Sequence, residues 1–293
     1  MQAKIIDGKK LAAELRAKMK KQVSEMDDTP VLAVVMVGED EASKIYVRNK
    51  KKAADEVGII CQVYEFSDTI GENALLQSIE ELNNNHHIHG IIVQQPLPKH
   101  LNIKNILDKI SPYKDVDGFG LVNSGRLMTG DNNGLAAATP KGIIKLLEET
   151  GENLSGKLAI IIGRSQIVGR PIAQMLLNLD CTVVMSHSKT QNLVDLVKQA
   201  DIVVAACGQP EMIKSNWLKE GAIVIDVGIN RNENGKLCGD VDFEDAKQQA
   251  SWITPVPGGV GPITVAMLLE NTISAAKNAK KCTCGHHCNC HNI

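Results

Sequence analysis

Tyr46 and Lys50 stand four residues apart in the run Ser43-Lys44-Ile45-Tyr46-Val47-Arg48-Asn49-Lys50, the spacing that puts two side chains on one face of a helix. A phenol and an amine converging in a semi-enclosed site are equipped to take and give a proton. The flanking Lys44, Arg48, Lys51 and Lys52 also make the stretch read as a solvated basic face, and spacing alone leaves both readings open. A second chemistry lies in Gly163-Arg164-Ser165-Gln166-Ile167-Val168-Gly169-Arg170-Pro171, which follows the apolar run Leu158 to Ile162 and enters a helix. Free backbone N–H groups at such a helix start, with the helix dipole, favour an anion such as a dinucleotide pyrophosphate. Gly163 permits the tight turn and Gly169 a close backbone approach, although the spacing departs from G-x-G-x-x-G. The next strand leads into Ser186-His187-Ser188-Lys189-Thr190, with no acidic residue before Asp195 to meet a ribose 2′-hydroxyl. Arg164 and Lys189 are placed instead for a 2′-phosphate, which favours NADP over NAD.

The cysteines form two groups. Cys61, Cys181, Cys207 and Cys238 are scattered through apolar surroundings and read as reduced, small core residues. Cys282, Cys284, Cys288 and Cys290 crowd the tail with His286, His287 and His291, soft ligands suited to Zn(II) or Cu(I). Their two C-x-C pairs do not match zinc-finger spacing, and a functionally neutral extension is an equal reading.

The elements that must position these groups alternate short apolar runs with longer segments of helical period, which indicates α/β architecture with parallel sheets. In the first half, strands are expected at Val31 to Val37, Cys61 to Phe66 and Gly90 to Val93, and helices near Gly8 to Ser24, Glu41 to Val57 and Asn73 to Asn83. The polar stretch Asp117 to Gly134 reads as the region between domains. The second half carries strand-like runs at Leu158 to Ile162, Thr182 to Met185, Ile202 to Ala206, Ala222 to Val227 and Trp252 to Thr254, a Rossmann-type pattern, and a last helix from Pro262 to Lys280. At 293 residues and 43% hydrophobic, the chain is long enough for two cores. A net charge of -2 creates no field for nucleic acid or an acidic membrane, so small-molecule partners are expected. No run of ~18 apolar residues occurs, and a cytoplasmic location is expected.

Further segments carry a resemblance: Val93-Gln94-Gln95-Pro96-Leu97-Pro98, Lys114-Asp115-Val116-Asp117-Gly118-Phe119 and Pro257-Gly258-Gly259-Val260-Gly261-Pro262-Ile263-Thr264. With the Tyr-x-x-x-Lys helix and the glycine turn, in this order, the sequence resembles the bifunctional methylenetetrahydrofolate dehydrogenase/methenyltetrahydrofolate cyclohydrolase (FolD) family. Matching stretches run from Ile6-Asp7-Gly8-Lys9 to Gly239-Asp240-Val241-Asp242-Phe243, covering residues 1 to about 280. Relatives often carry Leu at the position of Gln95 and Pro-Cys at Ala137-Ala138, neither of which removes a catalytic group.

The resemblance implies two α/β domains flanking a cleft: residues 1–138 with the C-terminal helix 262–280 as the folate-binding catalytic domain, 139–261 as a Rossmann-type NADP-binding domain, and 281–293 as a tail. It implies Lys50 as the catalytic lysine, supported by Tyr46 and Gln94, and Asp117 as the anchor for the pterin ring. Pro257, Gly258, Gly259 and Val260 would contact substrate. Gly163, Arg164, Ser165, Val168, Gly169, Ser188 and Ile229 would bind NADP. A homodimer is implied, and no metal is required. The implied activity is oxidation of 5,10-methylenetetrahydrofolate followed by hydrolysis to 10-formyltetrahydrofolate. Two alternatives are a dehydrogenase lacking the cyclohydrolase step and a nucleotide-binding sensor without turnover. Tyr46, Lys50 and Gln94 argue against the first, and the folate-side residues as a set against the second.

Overall fold

A strand covered on both faces has no reason to alternate apolar and polar residues, so continuous apolar runs are expected to become buried parallel strands. This is what a computed structural model describing residues 2–283 contains. In chain order the elements are β1 (Lys4–Ile5), α1 (Gly8–Ser24), β2 (Val31–Val37), α2 (Glu41–Val57), β3 (Ile60–Phe66), α3 (Glu72–Asn84), β4 (Gly90–Val93), α4 (Ile103–Lys109), α5 (Leu121–Thr129) and α6 (Ala138–Glu148). They continue with β5 (Leu158–Ile162), α7 (Gly169–Leu177), β6 (Thr182–Ser186), α8 (Leu193–Val197), β7 (Ile202–Ala205), β8 (Ile223–Asp226), β9 (Asn230–Arg231), β10 (Leu237–Cys238), α9 (Phe243–Ala246), β11 (Trp252–Ile253) and α10 (Val260–Thr283). The chain divides into two units, one of the residues up to Glu14 with Ala137–Met267, the other of Leu15–Ala136 with the residues from Leu268.

The second of these units is built on the parallel sheet β3-β2-β4. Every residue of the central strand β2 is buried. Leu75, Ile79 and Leu82 of α3 recur at helical spacing and pack on Val31, Ala33, Val35 and Ile91. Asp40 caps α2 by accepting from Ser43 N at 2.7 Å, and Gly58 ends it in the left-handed conformation. The helix therefore stops where β3 must begin.

The other unit carries a sheet of order β1-β11-β8-β7-β5-β6, parallel throughout. After β5 the chain crosses to β6 on one side and then returns to β7 on the other, so the winding reverses between β5 and β7. In a doubly wound sheet that reversal opens a crevice at the carboxyl ends of the two strands.

Three readings change. The first fourteen residues, expected in the first domain, divide with the six-stranded sheet, because Lys4 and Ile5 pair with Trp252 and Ile253 of β11. The stretch Asp117 to Gly134, expected as a domain connection, contains α5, with Gly120 and Gly130 as its caps and Asn123 buried within it. The last helix begins at Val260, two residues before Pro262. Cys61, Cys181 and Cys238 are buried free thiols, and Cys207 is partly buried. Cys284, Cys288 and Cys290, and the side chain of Cys282, lie outside the described residues. No described helix is long and apolar enough to cross a membrane.

Within the three-stranded unit, Asn271 of α10 is 1% exposed and donates from Nδ2 to Val116 O at 2.9 Å and Ala136 O at 2.8 Å. A buried carbonyl left without a donor costs ~1–3 kcal/mol. Asn271→Leu, which preserves shape and removes the donors, is expected to lower the unfolding free energy by roughly 2 kcal/mol or more in urea denaturation. An unchanged midpoint would show that the two carbonyls are satisfied otherwise.

Candidate active site

Gln94 follows β4 directly and extends it, its N–H donating to Val35 O at 2.8 Å. Its side chain receives Lys50: Nζ donates to Gln94 Oε1 at 2.9 Å, while Gln94 Nε2 donates to Gln95 O at 2.7 Å. Both ends of the amide are thus engaged, which fixes its orientation and that of the half-buried lysine. No other acceptor among the described residues takes a hydrogen bond from the Lys50 side chain. Tyr46 sits one turn earlier on α2, 47% exposed. Its hydroxyl makes no hydrogen bond among the described residues. The Gln95–Pro96 peptide is cis.

The loop bearing Asp117 runs beside β4, with Ile91 N donating to Lys114 O at 2.7 Å and Ile91 bridging to Asp115. Lys114 caps the end of α3, its Nζ donating to Leu82 O at 3.1 Å, Asn83 O at 2.6 Å and Asn85 O at 2.8 Å. A cation is favoured there by the dipole of the helix C-terminus, though burial lowers its pKa to about 8. Asp115 is buried and closes the turn, accepting from Gly118 N at 3.0 Å, Phe119 N at 3.3 Å, Gly120 N at 2.8 Å and Asn123 Nδ2 at 3.0 Å. Asp117 is treated differently: no donor among the described residues hydrogen-bonds to its carboxylate. Burial pushes its pKa up to about 6, with the charge of Lys50 opposing the rise and that of Asp115 adding to it. Lys50, Gln94 and Asp117 thus form one electrostatically coupled group, supported by Lys114, Asp115 and Asn123.

In the six-stranded unit, Gly163 leaves β5 at φ 135°, a conformation that excludes other residues, and a Cβ there would lie 2.1 Å from Ala206 O. A Cβ on Gly169, at the start of α7, would lie 2.3 Å from Gly163 O. Ser165 Oγ closes the turn by accepting from Val168 N at 3.1 Å and Gly169 N at 3.3 Å. Arg164 is exposed at the turn's tip. Beside it, Gly163 N donates to Ser186 O at 3.0 Å, and His187 N donates to Thr190 Oγ1 at 2.9 Å, which leaves Ser188 and Lys189 exposed at the adjacent tip. Ile229, exposed after β8, completes this edge. The set fits a dinucleotide: one strand–helix turn with two positions cleared of Cβ atoms, a helix start and cationic tips.

The Pro257–Val260 segment joins β11 to α10, with Val256–Pro257 cis and Gly258 at φ 112°. Lys9 N donates to Gly258 O at 2.9 Å, and a Cβ on Gly8 would meet Gly259 O at 2.0 Å. Gly8 is therefore a support of this loop that sequence spacing could not reveal.

Residues 6–117 match the catalytic domain of tetrahydrofolate dehydrogenase/cyclohydrolase, and residues 137–280 match the NAD(P)-binding domain of the same family. The chain belongs to the tetrahydrofolate dehydrogenase/cyclohydrolase family. It is similar to the bifunctional protein FolD of Listeria innocua, 52% identical over 280 residues that make up 94% of this chain and 98% of that protein. Among solved structures it is similar to the bifunctional FolD of Campylobacter jejuni, with 47% identity, a TM-score of 0.92 and coverage of 94% and 99% of the two chains. The Trypanosoma brucei enzyme, solved with NADP and an inhibitor, aligns at 37% identity and TM-score 0.91 over 96% of this chain and 99% of that one. The Lys-Asp-Val-Asp-Gly signature of the family now has a division of labour in this chain: Lys114 and Asp115 build the turn, and Asp117 is left open.

Proposed function

We propose that the protein is a bifunctional enzyme of one-carbon folate metabolism, oxidising 5,10-methylenetetrahydrofolate with NADP and hydrolysing the methenyl product to 10-formyltetrahydrofolate. The observation that carries the reading is the Lys50–Gln94 hydrogen bond beside an unpaired Asp117 carboxylate, in a family member whose other unit holds a dinucleotide turn. Asp117 accepts two hydrogen bonds from the aminopyrimidine edge of the pterin, the geometry a carboxylate offers to guanidinium. Pro257, Gly258, Gly259 and Val260 offer backbone to the substrate. Gly163, Ser165 and Gly169 shape the pyrophosphate site, Arg164 and Ser188 hold the 2′-phosphate, and Val168 and Ile229 give apolar surface to the cofactor. When bound, NADP supplies the hydride acceptor at nicotinamide C4 that turns the methylene bridge into the methenyl cation. In hydrolysis, Lys50 takes a proton from the water that adds to the methenyl carbon. It returns that proton to N5 as the carbon–N5 bond breaks, while the hydroxyl proton on the hydrated carbon leaves to solvent as the C=O bond forms, leaving the formyl group on N10. Gln94 holds the lysine for both transfers, and Tyr46 lines the same helix face.

A homodimer through the six-stranded unit is supported by β6, an edge strand with Met185 exposed on it and Leu177 and Leu179 exposed just before it. A cytoplasmic location is supported by the free thiols of Cys61, Cys181, Cys207 and Cys238. The Cys/His-rich tail is assigned adventitious binding of a soft metal ion, without part in catalysis.

Lys50→Ala is expected to reduce methenyl hydrolysis by ~100-fold or more, the usual worth of a positioned acid/base, with NADP binding unchanged in a fluorescence titration. Retention of more than about a tenth of the hydrolytic rate would sink the assignment. Because Asp117 must be ionised to accept both hydrogen bonds and its pKa stands at about 6, folate affinity should be constant above that pH and fall below it. The KM for methylenetetrahydrofolate is expected to be about tenfold higher at pH 5 than at pH 7, and Asp117→Asn should flatten the profile while raising KM at neutral pH. A wild-type profile that the substitution leaves in place would assign the titration to another group. Truncation after Lys280 should abolish zinc or copper binding under reducing conditions and spare both folate activities; loss of activity, or no metal bound by the full-length chain, contradicts the assignment.

A further inference from the structure

Across the winding reversal from the Gly163–Gly169 turn lies the segment that leaves β7, Ala206 to Gln209. Its proximity is set by Gly163, whose missing Cβ admits Ala206 O, so this segment forms the facing wall of the crevice where a dinucleotide binds. Gly208 turns it at φ 66°, and the three successive N–H groups of Cys207, Gly208 and Gln209 point to one place. Such a nest binds an anion. Here the anion is Asp240, fully buried, which accepts from Cys207 N at 2.7 Å, Gly208 N at 3.0 Å and Gln209 N at 2.9 Å, and from Asn230 Nδ2 at 2.8 Å.

Asn230 directly follows Ile229, so one carboxylate ties together the segments leaving β7 and β8. The carboxylate is itself placed by Asp226, which accepts from Gly228 N and Asp240 N at 2.9 Å and from Val241 N at 3.0 Å. Two glycines make this possible: a Cβ on Gly239 would lie 1.8 Å from Asp226 Oδ2, and one on Gly228 2.4 Å from Asp240 N. Burial and the charge of Asp240 push the Asp226 carboxyl up to about 7 and, with burial again first, the Cys207 thiol up to about 12, as expected of groups crowded around a buried anion.

We infer that Asp240 is a positioning residue for the dinucleotide: it touches neither substrate nor cofactor, and its carboxylate holds the Cys207–Gln209 and Ile229–Asn230 segments in the cofactor-binding geometry. The inference rests on the NADP reading above and assigns a determinant of that site outside its phosphate-facing turn.

The test is Asp240→Asn, whose amide puts a donor among donors, studied in the full-length enzyme. The KM for NADP is expected to rise tenfold or more, with the KM for methylenetetrahydrofolate unchanged. Methenyl hydrolysis, which consumes no dinucleotide, serves as the control for a folded catalytic unit. An unchanged KM for NADP, or a parallel loss of hydrolysis and NADP reduction, overturns the inference. If the variant does not fold, Asn230→Ala, which removes one donor from the same carboxylate, decides by the same split with an expected rise of about threefold. NADPH binding is also followed by fluorescence titration. Failure of wild-type turnover with NADP would refute the functional reading, whereas equal NADPH affinity of wild type and variant would refute the role of Asp240.

Discussion

Taking an ionised carboxylate out of water costs several kcal/mol unless donors replace the lost solvent. Asp115 and Asp240 meet that condition chiefly with backbone N–H groups rather than with lysine or arginine, and the buried Asp226 carboxyl is held in the same way. A backbone donor cannot swing away, so each carboxylate becomes a hub around which a turn closes in one geometry. The 114–120 loop closes on Asp115, and the segments leaving β7 and β8 close on Asp240 through Asp226. Removing any hub carboxylate leaves several buried N–H groups without an acceptor at once, which is why these turns depend on buried side chains.

Asp117 gains its role by contrast with Asp115. The two acids stand two residues apart in one turn, and the N–H groups of Gly118, Phe119 and Gly120 and the amide of Asn123 go to the Asp115 carboxylate. Asp117 keeps its lone pairs, while Asp115 adds a negative charge that raises its pKa and Lys50 a positive charge that lowers it. The outcome is a carboxylate still ionised at neutral pH yet poorly solvated, which favours a ligand that brings two donors.

The strands were legible in the sequence because their burial is complete: Val31–Val37 and Ile202–Ala205 need no partner information to be recognised. The glycine turn after β5 was legible for a similar local reason, since Gly163 and Gly169 flank a strand–helix junction. What could not be read is whatever depends on distant chain. β1 is only two residues long and becomes a strand through β11, some 250 residues later. Helix α5 is short, contains Gly125, and lies between glycine caps, so its composition reads as a loop. Lys50 and Gln94 are 44 positions apart, and spacing within α2 pairs Lys50 with Tyr46 rather than with the amide it contacts. The acids of the hubs were invisible for a further reason: Asp in a Gly-rich turn usually reads as a solvated turn residue, and only burial distinguishes Asp115 and Asp240 from that class.

A single directional property of parallel sheets explains where the candidate groups lie. All strands of a parallel sheet point the same way, so their carboxyl ends form one edge, and the helices that follow start near it with unpaired N–H groups. Gln94 follows β4, Gly163 follows β5, Ser188 follows β6, Cys207 follows β7, Ile229 follows β8 and Pro257 follows β11. Lys50 and Tyr46 stand on α2, the helix after β2. The amino-end loops carry none of these residues. The chain can therefore alter side chains on one edge of each sheet without disturbing the register of its strands, whereas the hub carboxylates of Asp115, Asp226 and Asp240 keep that edge in a fixed shape.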